Sequence, residues 1–193
     1  MSLSRLVCDP AFPQRSAAAL DKALERSGWV QLVGSPASTD SPDQGELPQG
    51  SGVLVSSGGS SGERRLCAQP ASHLDRSATA TGDWLRSIGL VPEQTCLFNP
   101  LPFHHMSGLM PWWRSRLWGA QHVSLPPPLM KDPPSLLAAC RDLPGWGQKP
   151  AVVSLVPTQL KRLLDHPEGV AWLQDLVLVW VGGAGLPAPL AER

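Results

Sequence analysis

The apolar positions of this chain follow two periods in turn. Ser16 to Arg26 carries Ala17, Leu20, Ala23 and Leu24 on one helical face, with Gly28 as a stop. Ser72 to Ile88 repeats that spacing at Leu74, Ala78, Thr81, Leu85 and Ile88, opens on Ser72 and Asp75 in a capping-box-like arrangement, and ends at Gly89. Leu109 to Leu117, Pro134 to Arg141 and Pro157 to Leu164 also read as helices. Between these stand short runs of strand length: Trp29 to Val33, Val53 to Val55, Thr95 to Phe98, Ala120 to Leu125, Ala151 to Val156 and Leu176 to Val181. The last two are apolar at nearly every position, so both of their faces need cover. Strands that alternate with helices and are buried on both faces predict an α/β fold, with layered, largely parallel sheets flanked by helices.

Polar punctuation divides the chain into an amino-terminal part, residues 1–52, and a larger part, residues 53–193. The first holds a helix, a strand and a long Ser/Pro/Gly loop from Gly34 to Gly52. The second opens with Val53-Leu54-Val55 followed at once by Ser56-Ser57-Gly58-Gly59-Ser60-Ser61-Gly62 and then Glu63-Arg64-Arg65. Such a run cannot pack a core. It can present backbone amides and hydroxyls at close range, with a cation at its end, which suits phosphate oxygens. A flexible linker is a competing reading. A Walker loop is not, because Gly-Lys-[Ser/Thr] is missing. Gly58 to Gly62 also matches the G-x-S-x-G of a hydrolase elbow, with Ser60 as nucleophile, but Glu63 to Pro70 opens a helix poorly.

Composition narrows the function classes. Lys+Arg and Asp+Glu both number 16, so charge makes no case for nucleic acid or an anionic membrane as partner. The 42% hydrophobic content supports a real core. Cys8, Cys67, Cys96 and Cys140 are scattered without a C-x-x-C pair, which reads as reduced thiols in a cytoplasmic protein. Neither a signal peptide nor an apolar run of membrane-spanning length is present.

Two glycine-bearing loops, the Ser/Gly stretch and Gly182-Gly183-Ala184, directly follow apolar strands, and a third strand-end segment, Leu101 to Gly108, holds adjacent histidines. In parallel α/β sheets ligands collect beyond the carboxyl ends of strands, so one cleft lined by all three is the simplest expectation. Trp112, Trp113 and Trp118 read as packing residues, and His104, His73, His122 and His166 are assigned no role.

These segments resemble motifs of the adenylate-forming superfamily of acyl-CoA synthetases, adenylation domains and luciferases. Ser57 to Arg65 is similar to its Thr-Ser-Gly-Thr-Thr-Gly-x-Pro-Lys loop, with Gly58, Arg64 and Arg65 in place of Ser, Pro and Lys. Leu101-Pro102-Phe103-His104-His105-Met106-Ser107-Gly108 is similar to Leu-Pro-x-Phe-His-x-x-Gly, with His105 on the family histidine, and Gly182-Gly183-Ala184 to Gly-Gly-Ala. Ser154 to Leu164 resembles a segment of o-succinylbenzoate–CoA ligases, as does Ser107-Gly108 followed by Trp113-Arg114.

The resemblance implies ATP, Mg²⁺ and coenzyme A as ligands and a small-molecule carboxylate as substrate, and it is compatible with a homodimer. It implies that Ser57, Gly58, Gly59, Ser60, Ser61, Gly62 and Arg65 hold ATP phosphates and that Gly182, Gly183 and Ala184 lie along adenine. His105 would be catalytic, and Ser107, Gly108 and Arg114 would bind the acid. The family's Tyr-Gly-x-Thr-Glu segment, ribose-binding Asp and lysine-bearing small domain have no counterpart here. The expectation is therefore the front part of an acid–thiol ligase that does not turn over alone.

Overall fold

The computed structural model describes residues 2–26, 28–38, 47–56 and 65–192. They form two compact units, Met1–Thr81 with Pro102–Arg114, and Gly82–Leu101 with Ser115–Arg193.

The first unit holds a four-stranded sheet in the order β1 (Leu3–Val7), β2 (Trp29–Val33), β3 (Gly52–Ser56), β4 (Leu66–Pro70). The first two pairings are parallel, and β3 and β4 form an antiparallel hairpin whose outermost pair is Ser56 with Leu66. Helix α1 (Pro13–Leu24), the first part of α2 (Ala71–Ser87) and the first part of α3 (Met106–Trp118) pack on Val30, Leu32, Val53 and Val55 through Leu20, Leu74, Ala78, Leu109 and Trp113. Every residue of β2 is buried, including Trp29, whose indole N–H donates to the Pro48 carbonyl at 3.2 Å. Each large apolar side chain buried this way contributes roughly 1.5–3 kcal/mol.

The second unit holds an all-parallel sheet in the order β6 (Gln121–Ser124), β5 (Cys96–Asn99), β7 (Ala151–Leu155), β8 (Leu178–Val181). Helices α4 (Pro133–Arg141), α5 (Pro157–Leu164) and α6 (Pro167–Gln174) cover one face through Leu136, Leu137, Leu163 and Trp172, and Leu85, Leu97 and Trp118 form a separate cluster that also takes in Leu178 and Trp180. A short helix α7 (Ala188–Ala191) closes the described chain.

The α/β reading with largely parallel sheets holds. Three elements escape the sequence pattern. Strand β1, Leu-Ser-Arg-Leu-Val, is exposed at four of its five positions and shows neither strict alternation nor a continuous apolar run. Strand β4 is half-buried at a sheet edge, where the missing N–H of Pro70 is tolerated. Helix α6, with Pro167 in its first turn, hides in a stretch too short for a clear helical period.

Candidate functional site

Parallel pairing decides where the chain leaves the first sheet. Strands β1, β2 and β3 all run the same way, so the segments after Val7, Val33 and Ser56 emerge at one edge, the carboxyl edge. Backbone bonding tightens it, with the Cys8 N–H donating to the Val33 carbonyl at 2.8 Å. The described residues that flank the Ser/Gly stretch on this side of the sheet end in the Ser56–Leu66 pair. Ser57, Gly58, Gly59, Ser60, Ser61 and Gly62 lie outside the described residues. Arg65 is described, and it is exposed immediately before β4. Among the described residues the next element after the stretch is strand β4.

The histidine segment reaches the same edge by an unexpected route. Gly34, the first residue past β2, lies under the His104 ring: a Cβ built on Gly34 would stand 2.6, 2.7 and 3.1 Å from three of its ring atoms. The His105 ring is the next layer, with its centroid 4.2 Å from that of His104 and a 45° tilt. Both rings are half-buried. The turn that carries them is anchored from below by Phe103, which is buried and packs edge-on to Trp112 at 5.5 Å. It is closed by the His105 N–H donating to the Pro102 carbonyl at 3.0 Å, and the His105 carbonyl accepts from Gly108 and Leu109 at 3.0 and 2.8 Å to start α3. The tryptophans read as packing residues do pack: Trp112 and Trp113 are buried, and the Trp113 indole N–H donates to Asp75 at 2.9 Å.

Along α3, Ser107 is exposed and Gly108 buried in the first turn. Arg114 follows Ser107 by seven residues, two helical turns or roughly 10 Å of rise along one face. Arg114 is half-buried, and the loss of water around its guanidinium lowers its pKa from the ordinary value.

In the second unit, Gly182-Gly183-Ala184 follows β8 directly, and the Gly182 N–H donates to the Leu155 carbonyl at 3.0 Å, which ties this turn to the end of β7. Gly183 has φ 83°, a backbone setting that favours glycine, and a Cβ there would meet Val156 at 3.3 Å. All three residues are exposed.

Sequence reasoning missed two features. One is Gly34, which reads as loop composition; a glycine directly after a buried strand is the signal that was present. The other is a pair in the second unit: the Asn99 amide and His122 Nε2 stand 3.1 Å apart, while Asn99 Oδ1 accepts from the Leu101 N–H at 3.3 Å. The amide nitrogen therefore donates to an unprotonated Nε2. Burial agrees, pushing the imidazole down to about 4. This pair fixes the start of the segment that runs into the histidine turn. Nothing in the sequence around His122 marks it.

Among the described residues, no three His, Cys, Asp or Glu side chains stand together as metal ligands, and no helix is long and apolar enough to cross a membrane.

No protein-family model matches the chain, and no curated protein matches it. Solved structures do. O-succinylbenzoate coenzyme A synthetase from Bacillus subtilis, in complex with ATP and magnesium ion, is 16% identical with TM-score 0.62, over 98% of this chain and 46% of that one. A malonyl-CoA ligase with methylmalonyl-CoA and AMP bound is 18% identical with TM-score 0.59, over 99% of this chain and 48% of that one. The inhibitor-bound amino-terminal domain of FACL13 from Mycobacterium tuberculosis is 16% identical with TM-score 0.57, over 98% and 58%. The fold is that of the amino-terminal portion of adenylate-forming enzymes. This chain spans less than half the length of the synthetase it matches, and at these identities the likeness is one of adenylate-forming fold.

Proposed function

We propose that this chain is the phosphate- and acid-binding front part of an AMP-forming acid–thiol ligase, and that its acid is o-succinylbenzoate, activated for quinone synthesis of the menaquinone or phylloquinone type. The observation that carries the reading is the meeting, at one carboxyl edge, of the Ser56–Leu66 hairpin base and the His104–His105 turn seated on Gly34.

The reaction has two steps. A carboxylate oxygen attacks the α-phosphorus of ATP, forming an acyl-adenylate as the bond to the bridging oxygen breaks and pyrophosphate leaves. The thiol of coenzyme A then adds to the acyl carbon and AMP leaves. In this reading Ser57, Ser60, Ser61, the amides of Gly58, Gly59 and Gly62, and the Arg65 guanidinium hold the β- and γ-phosphates, where negative charge gathers as pyrophosphate departs. Preorganised donors of this kind are each worth about 3 kcal/mol at a developing charge. Mg²⁺ enters with ATP as part of the substrate and neutralises phosphate charge. His105 stands by the reacting carboxylate. Ser107, Gly108 and the planar fork of Arg114 hold the second carboxylate of the acid, and Gly182, Gly183 and Ala184 lie along adenine. The chain holds no counterpart of the Tyr-Gly-x-Thr-Glu segment or the lysine-bearing domain, so these 193 residues alone are expected to make no thioester.

Calorimetric titration of the 193-residue chain with MgATP, then with o-succinylbenzoate or benzoate, tests this. ATP should bind, and Arg65→Ala should weaken it about tenfold, or 1.4 kcal/mol. The dicarboxylate should bind better than benzoate in the parent chain, and Arg114→Ala should erase that difference. Absence of nucleotide binding would overturn the ligase reading. Equal affinity for both acids would overturn the choice of substrate.

A further inference from the structure

We infer that His104 is a positioning residue for His105 and that Gly34 is glycine so that His104 can do this. The assignment rests on the proposed role of His105 at the carboxyl edge of the first sheet. Its geometry stands by itself.

Three observations make the case. The His104 ring occupies the volume a side chain at residue 34 would fill, with ring atoms 2.6, 2.7 and 3.1 Å from the ideal Cβ. Gly34 does not have a left-handed φ, so its backbone does not demand glycine, and the ring does. The same ring also meets His105, with 4.2 Å between centroids and a 45° tilt. An imidazole seated on rigid backbone and packed at a tilt against its neighbour removes rotamer freedom from that neighbour. The backbone beneath it is firm: β2 is buried along its whole length, paired with β1 as far as Val33 and with β3 over Trp29–Gln31. Phe103, packed on Trp112, keeps the peptide between the two histidines from rolling. The result is a fixed direction for the His105 imidazole, which a group that must meet a reacting carboxylate needs, because misplacement by an ångström is costly.

The experiment is a set of variants of the 193-residue chain, Gly34→Ala, His104→Ala, His104→Phe and Gly34→Ala/His104→Ala, read by imidazole ¹H–¹³C spectra and by thermal unfolding. His105→Ala identifies the His105 signal. In His104→Ala that signal should move to the position of an unrestrained imidazole. In His104→Phe, which keeps a planar ring on Gly34, it should stay near its place in the parent. Gly34→Ala should lower Tm, and adding His104→Ala should raise it again, because the new methyl then enters the space the ring vacated. An unmoved His105 signal in His104→Ala overturns the proposal. So does a double variant no more stable than Gly34→Ala alone. MgATP binding is measured on the same samples: a parent chain that binds no nucleotide ends the ligase reading, while the spectra still decide whether His104 orients His105.

Discussion

The carboxyl edges of the two sheets use glycine in opposite ways. At the first, Gly34 is roofed by a protein ring that would overlap any side chain placed there. At the second, a Cβ on Gly182 or Gly185 meets nothing within 4 Å among the described residues, and Gly183 needs glycine for its backbone setting, with only Val156 at 3.3 Å. One glycine serves the protein's own packing, and the other group keeps a stretch of backbone bare. The histidines differ in the same sense. All three histidines are half-buried, but His104 and His105 pack ring against ring at the first edge, whereas His122 in the second unit is held by Asn99. A short glycine or histidine motif thus says little about its role until its neighbours are known.

The contrast can be broken by substitution. Gly52→Ala should have the largest effect, because its Cβ would stand 2.4 Å from the Gln69 carbonyl oxygen and 2.8 Å from the ring of fully buried Trp29. Neither can retreat, and a loss of about 3 kcal/mol or more is expected by calorimetry. A neutral result would mean that the β3–β4 hairpin yields easily.

Acid comes next. His122 is lowered to about 4 in the fold against 6.5 ordinarily, so between those values the unfolded chain binds more protons. Stability should be full above pH 6.5 and fall as pH drops toward 4, by about 3 kcal/mol at most. Urea unfolding across that range should show the slope, and His122→Gln should remove that part of it.

Gly34→Ala should cost about 1–3 kcal/mol in the parent chain and little in His104→Ala, a coupling that a double-mutant cycle reads directly. Gly183→Ala should cost roughly 1–2 kcal/mol from its left-handed backbone. Gly182→Ala should change stability by less than about 0.5 kcal/mol yet weaken MgATP binding if its backbone lies along adenine, which separates a bare backbone that binds from one that is merely exposed.

Much of the fold was legible because its strongest strands are continuously apolar. Trp29–Val33 and Pro157–Leu164 stand where the pattern puts them, and Ala151–Leu155 ends one residue early. What failed was at the margins. In β4, Leu66-Cys67-Ala68-Gln69-Pro70 lacks any period, because an edge strand needs only one paired side. The histidine segment was recognisable, but its first histidine was left without a role. Adjacent residues in a sequence give no hint of which one lies against the end of a strand some seventy positions earlier.

The chain's own sequence determined the layered parallel architecture, the elements with buried faces and the residue types able to hold phosphate and carboxylate, since those follow from local periodicity and side-chain chemistry. Only the tertiary structure decided that β3 pairs antiparallel with β4, that His104 rests on Gly34, and that His122 is held neutral beside Asn99. Those outcomes depend on contacts between distant segments, and the volume left at one backbone position is set by whatever the rest of the fold brings to it.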